Sequence, residues 1–105
     1  ARVLDAVPAL TVIAAHMGGY DCWDDVERCL VGRDLYFDTS YSLADLGSER
    51  MTALMRAHGA GRILFGTDSP WTDQSDEVAA IRALPLTDDE ISAVLGGNAA
   101  RLLSV

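Results

Sequence analysis

The sequence predicts an α/β fold, a parallel βαβαβ unit followed by C-terminal helices. Three short apolar runs, at residues 10–15, 35–37 and 62–66, are separated by stretches with helical periodicity. The connections between them are long enough only for crossovers, so the strands run parallel with right-handed turns. Half of the 105 residues are apolar and 23% are charged, which describes one globular unit and excludes a disordered chain.

The first run, Leu10-Thr11-Val12-Ile13-Ala14-Ala15, is entered from Pro8 and reads as a strand covered on both faces, ending at His16-Met17-Gly18-Gly19. Residues 1–8 read as the tail of an element already under way, so the stretch is expected to belong to something longer. From Asp21 to about Val31, Asp24 and Asp25 stand near the start while Trp23, Val26, Cys29 and Leu30 recur at helical spacing, and Gly32 closes the helix. Leu35-Tyr36-Phe37 forms the second strand, stopped by Asp38-Thr39-Ser40, and a loop continues to Gly47. Ser48 as cap, then Met51, Leu54 and Met55, give a helix that runs out at His58-Gly59. Residues 62–66 are the third strand, broken by Thr67-Asp68-Ser69-Pro70-Trp71. Beyond it, Val78, Ile81, Arg82 and Leu84 follow the polar residues 74–77 as one helix. Thr87-Asp88-Asp89-Glu90 is a capping box opening a second, and a last helix covers 98–103.

Charge and cysteine usage narrow the function classes. The net charge is −8, and all eight cations are arginines scattered singly, so no basic stripe exists to meet a nucleic acid. No apolar run approaches the ~20 residues of a bilayer crossing. Cys22 and Cys29 lie about 10 Å apart along a helix, too far to bridge. They are expected to be buried free thiols in a reducing, cytoplasmic setting.

Parallel strands send all their exits to one edge, the edge where α/β proteins carry reactive groups. Three residues land there, each the first strongly polar one after its run: His16, Asp38 and Asp68. Taken singly, His16 also fits a satisfied loop histidine, and Asp38 a carboxylate that bonds its own turn. Asp68, between Gly66-Thr67 and Ser69-Pro70, is costly to desolvate without a cation or donors and points more strongly to function. Trp71 and Tyr41, in exit loops, fit a pocket wall or packing. Gly18-Gly19 fits a tight turn, and His58 a helix C-terminus. Ser40 and Ser69 lack the elbow of a serine hydrolase.

The blocks Val12-Ile13-Ala14-Ala15-His16-Met17-Gly18-Gly19, Leu35-Tyr36-Phe37-Asp38-Thr39-Ser40, Arg62-Ile63-Leu64-Phe65-Gly66-Thr67-Asp68-Ser69-Pro70-Trp71 and Gly97-Asn98-Ala99-Ala100-Arg101-Leu102-Leu103 resemble, in order and spacing, the C-terminal part of the amidohydrolase-related family. That family includes metal-dependent hydrolases and decarboxylases similar to aminocarboxymuconate semialdehyde decarboxylase. The resemblance implies that residues 1–105 form the last three βα units, strands six to eight, of a TIM (β/α)₈ barrel. It implies Asp68 as a ligand of a divalent metal, usually zinc, and as acceptor of a proton from metal-bound water. It implies that His16 contacts substrate or polarises that water, and that Asp38 supports the site from behind. A metal lowers the pKa of bound water toward ~7, which an adjacent carboxylate can exploit.

The family's His-x-His after the first strand and its ligand histidine after the fifth have no counterpart in this sequence. Three strands also cannot close a barrel, which takes ~250 residues, and the outer two are left with open edges. The chain alone is therefore expected to bind zinc weakly and to have no turnover. The leading expectation is part of an enzyme that hydrolyses C–N or C–O bonds, or decarboxylates a small acid without oxidation. Its partners would be a small-molecule substrate and either the missing part of the barrel or a second copy of the chain. A non-catalytic α/β module that self-associates around a vestigial metal site is the alternative. A flavodoxin-like phosphate binder fits three parallel strands but lacks the loop chemistry.

Overall fold

A computed structural model describes residues 1–105. Three strands, β1 (Ile13–Ala14), β2 (Tyr36–Asp38) and β3 (Ile63–Leu64), form one parallel sheet in the order β1-β2-β3. Ile13 pairs with Tyr36 and Ala14 with Phe37, while Phe37 and Asp38 pair with Ile63 and Leu64. Helix α1 (Arg2–Ala6) precedes the sheet, α2 (Trp23–Cys29) links β1 to β2, and α3 (Leu43–Leu46) and α4 (Ser48–His58) link β2 to β3. Helices α5 (Gln74–Arg82), α6 (Asp88–Ser92) and α7 (Asn98–Leu103) follow, α6 and α7 joined through a π-helical turn at Ala93–Gly97.

The expected βαβαβ order is present, with shorter strands. β1 occupies only two residues of the run 10–15, and that run is not covered on both faces: Leu10 is 48% and Ile13 51% exposed. The cause is topological. β1 and β3 each pair on one side only, so the ladder extends no further than the middle strand supports it. Phe37, fully buried at the centre of β2, anchors the core with Met17, Val26, Met51, Met55, Ile63 and Ile81.

Helix α4 has its expected extent and buries Met51, Leu54, Met55 and His58, one stripe at 3–4 spacing. Its start differs. Ser48 is the first helical residue, not the cap, and its carbonyl accepts a hydrogen bond from the Thr52 hydroxyl (2.8 Å). The loop read between the second strand and Gly47 holds α3, four residues long and below what periodicity can reveal. The Thr87 capping box is present, with Glu90 N–H to Thr87 Oγ1 at 3.1 Å and Thr87 N–H to Glu90 Oε1 at 2.9 Å. Asn98 is fully buried, and its amide donates to the carbonyls of Ala60 (2.6 Å) and Ile63 (2.8 Å), docking α7 against the start of β3.

Both cysteines are exposed, against expectation. Helix α2 is only seven residues long and its buried stripe is Trp23 and Val26, which leaves Cys22 and Cys29 outside. No helix is long and apolar enough to cross a membrane.

Candidate functional site at the strand exits

Asp38, the last residue of β2, gathers the exits of β1 and β2 onto one carboxylate oxygen. Its Oδ1 accepts the backbone N–H of His16 (3.0 Å), the backbone N–H of Ser40 (3.0 Å) and the Ser40 hydroxyl. Ser40 lies in the turn just past β2, and its N–H bonding back to Asp38 Oδ1 closes a local Asx turn that brings hydroxyl and carboxylate together. His16 is gripped from its other flank as well, because the Trp23 indole N–H donates to the His16 carbonyl (3.0 Å). Its ring Nδ1 lies 2.8 Å from the Ser40 carbonyl oxygen and 3.2 Å from Ser40 Oγ. Tyr20 packs edge-on to both the His16 and Trp23 rings.

The β2 and β3 exits are joined by Thr39. Its fully buried side chain donates to the Gly66 carbonyl (3.0 Å) and accepts the Gly66 N–H (3.1 Å), and its own N–H reaches the Leu64 carbonyl (3.0 Å). A Cβ at position 66 would meet Ser40 Cβ at 3.4 Å and Asp38 Cγ at 3.6 Å, ordinary contact distances that put the third exit directly beside the Asp38–Ser40 pair.

Asp68 lies two residues further along that exit. Its side chain is exposed and is tied to neither His16 nor Asp38 by a hydrogen bond; its carbonyl accepts the Trp71 N–H (3.0 Å) across a cis Ser69–Pro70 bond. Each exit carries a non-glycine residue in the left-handed region: His16 at φ +56°, Tyr41 at +50° and Asp68 at +59°. Such conformations cost of order 1 kcal/mol or more and cluster where a side chain must be aimed. Trp71 is 75% exposed and, with Tyr41, Thr72 and Glu77, lines a hollow of about 240 Å³ beside the exits. Burial pushes the Glu77 carboxyl up from its ordinary range, and Asp76 adds to the shift.

The sequence-predicted residues thus divide. His16 and Asp38 are bonded directly, Asp68 stands on the adjoining exit without a side-chain partner, and Trp71 belongs to the neighbouring hollow. Ser40 and Thr39 carry the geometry although neither was singled out for it. The signal was the uninterrupted Asp-Thr-Ser after a strand, which also fits a self-bonded turn. His58 lies away from the exits: its Nε2 donates to the Leu35 carbonyl (2.7 Å), its Nδ1 accepts the Gly32 N–H (3.0 Å), and its ring stacks on Phe37 at 4.1 Å. No three His, Cys, Asp or Glu side chains converge closely enough to hold a metal ion. The donor types suit one, but their number within this chain does not complete a site.

A family model described as Amidohydrolase matches residues 1–105. No curated protein matches the chain. Among solved structures, 5-carboxyvanillate decarboxylase LigW from Sphingomonas paucimobilis is similar at a TM-score of 0.74 and 19% identity, covering 98% of this chain and 36% of that one. A dihydroxybenzoic acid decarboxylase from Polaromonas sp. JS666, solved with bound manganese and the inhibitor 2-nitroresorcinol, gives 0.71 and 22%, over 97% and 36% of the two chains. An uncharacterized TIM-barrel protein from Bordetella bronchiseptica gives 0.78 and 28%, over 98% and 37%. The chain therefore spans little more than a third of the length of these structures, and its fold is that of part of a TIM barrel.

Proposed function

The chain belongs to the amidohydrolase family, and on that premise we propose that it supplies the last three βα units of a metal-dependent barrel enzyme acting on a small molecule. The reaction is non-oxidative decarboxylation of a small acid or hydrolysis of a C–N or C–O bond, and the decarboxylases among the similar structures favour the former. Asp68 and His16 are its catalytic residues within this chain. Asp68 is a ligand of a divalent metal, zinc being the ion to test first, His16 and Trp71 face the substrate, and Asp38 holds His16 in place. When bound, such a metal supplies Lewis-acid polarisation and an activated water.

The single observation that carries this reading is the joining of three strand exits through Asp38 and Thr39, with His16 on a left-handed backbone at the first exit and Asp68 without a side-chain partner on the third. Asp68 is exposed, so water solvates its carboxylate and the desolvation cost expected from the sequence does not arise; what supports it as a ligand is its place on the third exit with no side-chain partner in this chain. The remaining ligands and the cover for the open edges of β1 and β3 come from the rest of the barrel, in a cytoplasmic enzyme.

Metal content of the barrel-length parent, measured by elemental analysis, tests the proposal. About one divalent ion per site is expected, and Asp68→Asn is expected to lose most of it together with turnover. A metal-free parent, or an Asp68→Asn variant with full metal and full activity, overturns it. The isolated 105-residue chain is expected to show no sub-micromolar zinc binding by calorimetry.

A further inference from the structure

The two histidines are held in opposite tautomers, and the one at the strand exits is fixed by Ser40. A carbonyl oxygen can only accept, so at 2.8 Å from the Ser40 carbonyl the His16 Nδ1 must carry hydrogen. The Ser40 hydroxyl repeats the demand. Its own hydrogen is given to Asp38 Oδ1, so at 3.2 Å it presents a lone pair to the same Nδ1–H. Asp38 Oδ1 accepts from the Ser40 N–H as well, which sets the Ser40 rotamer and backbone at once. In the neutral ring His16 Nε2 is then the unprotonated nitrogen, and it makes no hydrogen bond within the chain. His58 is the reverse case: its Nε2 donates to the Leu35 carbonyl and its Nδ1 accepts from Gly32.

We propose that Ser40 is a positioning residue that locks neutral His16 in the Nδ1–H form, so that a bare Nε2 lone pair is what the strand-exit edge presents. The chemical consequence rests on the function proposed above. A neutral His16 meets its partner as a lone-pair acceptor and not as a hydrogen-bond donor, so the substrate group facing it must carry a hydrogen, as a hydroxyl, a protonated acid or a water does. A bare carbonyl or carboxylate oxygen would be repelled there.

The test reads the tautomers directly, in the metal-free 105-residue chain with ¹⁵N-labelled histidine, by long-range ¹H–¹⁵N correlation at a pH about two units above the ordinary imidazole value of ~6.5. His58 is assigned by its contact with the stacked Phe37 ring. The expected spectrum has His16 as Nδ1–H and His58 as Nε2–H. In Ser40→Ala the Ser40 carbonyl remains but the hydroxyl acceptor is lost, and the Nδ1–H to Nε2–H ratio of His16 should fall about 3–10-fold, the equivalent of one net hydrogen bond. Ser40→Thr, which keeps the hydroxyl, should restore it.

Wild-type His16 found as Nε2–H, or as an averaged mixture while His58 stays fixed as Nε2–H and so reports a folded chain, overturns the inference whatever the variants do, and so does an unchanged ratio in Ser40→Ala. If both histidines average in the isolated chain, the same two readings are taken in the barrel-length parent and decide there. If Ser40→Ala unfolds, the His58 signals average with those of His16 and the wild-type spectrum decides alone. The result is separable from the proposed function. A fixed Nδ1–H in a chain whose barrel-length parent holds no metal overturns the enzyme reading only, whereas a metal-loaded, active parent with a mixed His16 tautomer overturns the positioning role only.

Discussion

Replacing Thr39 by Val should loosen the strand-exit edge. The hydroxyl is fully buried and makes two hydrogen bonds, giving one to the Gly66 carbonyl and taking one from the Gly66 N–H. Valine keeps the shape but leaves both Gly66 groups without a partner, and an orphaned buried donor or acceptor costs about 1–3 kcal/mol. Gly66 is itself only half-buried, so water relieves part of the loss and the low end applies twice, about 2–3 kcal/mol in all. For a chain of this size that is a fall in Tm of about 10–20 °C.

The measurement is urea unfolding followed by tryptophan fluorescence. Trp23 is buried and reports the transition, while Trp71 is already 75% exposed and contributes little change. With a slope of about 1–3 kcal/mol per molar urea, the midpoint should drop by ~0.7 M or more. Thr39→Ser is the control: it keeps both hydrogen bonds, loses one methyl group and should cost only about 1 kcal/mol. A Thr39→Val variant within 0.5 kcal/mol of wild type, or a Thr39→Ser variant equally damaged, refutes the clamp.

Three further outcomes follow from single positions. Gly18→Ala should destabilise by about 2–4 kcal/mol, combining a left-handed φ of +95° with a Cβ only 2.9 Å from both Phe37 Cε1 and Val26 Cγ1, read by the same urea titration. Asn98→Asp should cost more than Asn98→Ala, since Ala leaves the Ile63 carbonyl without its partner while the Ala60 carbonyl keeps the Ile63 N–H, whereas a carboxylate turns an acceptor toward both; equal losses in thermal melts would contradict the assigned bonds. Burial, reinforced by Arg62 and partly opposed by the Leu35 hydrogen bond, holds the His58 pKa below its ordinary value. Above about pH 6.5 both folded and unfolded forms carry His58 neutral and its contribution is complete. As pH falls below that, the unfolded chain takes up the proton first, so stability drops until the lower folded pKa is passed. The wild-type minus His58→Gln stability difference should therefore shrink on acidification, and a difference flat from pH 8 to 5 would contradict this.

Legibility followed the range of the signals. The extents of α4 and α7 and the capping box at Thr87 rest on local periodicity and capping chemistry, and all three are present as read. The apolar runs overshoot the strands because apolar composition fixes neither pairing nor burial, and β1 has a partner on one side only. The outward cysteines were misread for the same reason: a helix with a two-residue buried stripe leaves positions exposed that composition alone assigns to the core. At the candidate site, His16, Asp38 and Asp68 were legible as first polar residues after each run. The roles of Ser40 and Thr39 were not, because a hydroxyl that bonds across strands and one that caps its own turn share the same sequence.

The bonds that shape the exit edge fall into two classes that separate experimentally. Those fixing His16 run from Trp23, Asp38 and Ser40, and those fixing the third exit run from Thr39 to Gly66. All are made between adjacent parallel strands or the helix between them, so none depends on residues beyond this chain. A metal site demands the opposite, donors converging from across a barrel, and three neighbouring strands span too small an arc to supply them. Substitutions at Ser40 and Thr39 should therefore register in the 105-residue chain itself, through tautomer and stability. Substitution of Asp68, exposed and without a side-chain partner, should leave that chain's stability within about 0.5 kcal/mol and register only in the metal content of the complete barrel. A large stability loss on Asp68→Asn in the isolated chain would reverse the division, making Asp68 a structural residue and removing the main reason to assign it a ligand.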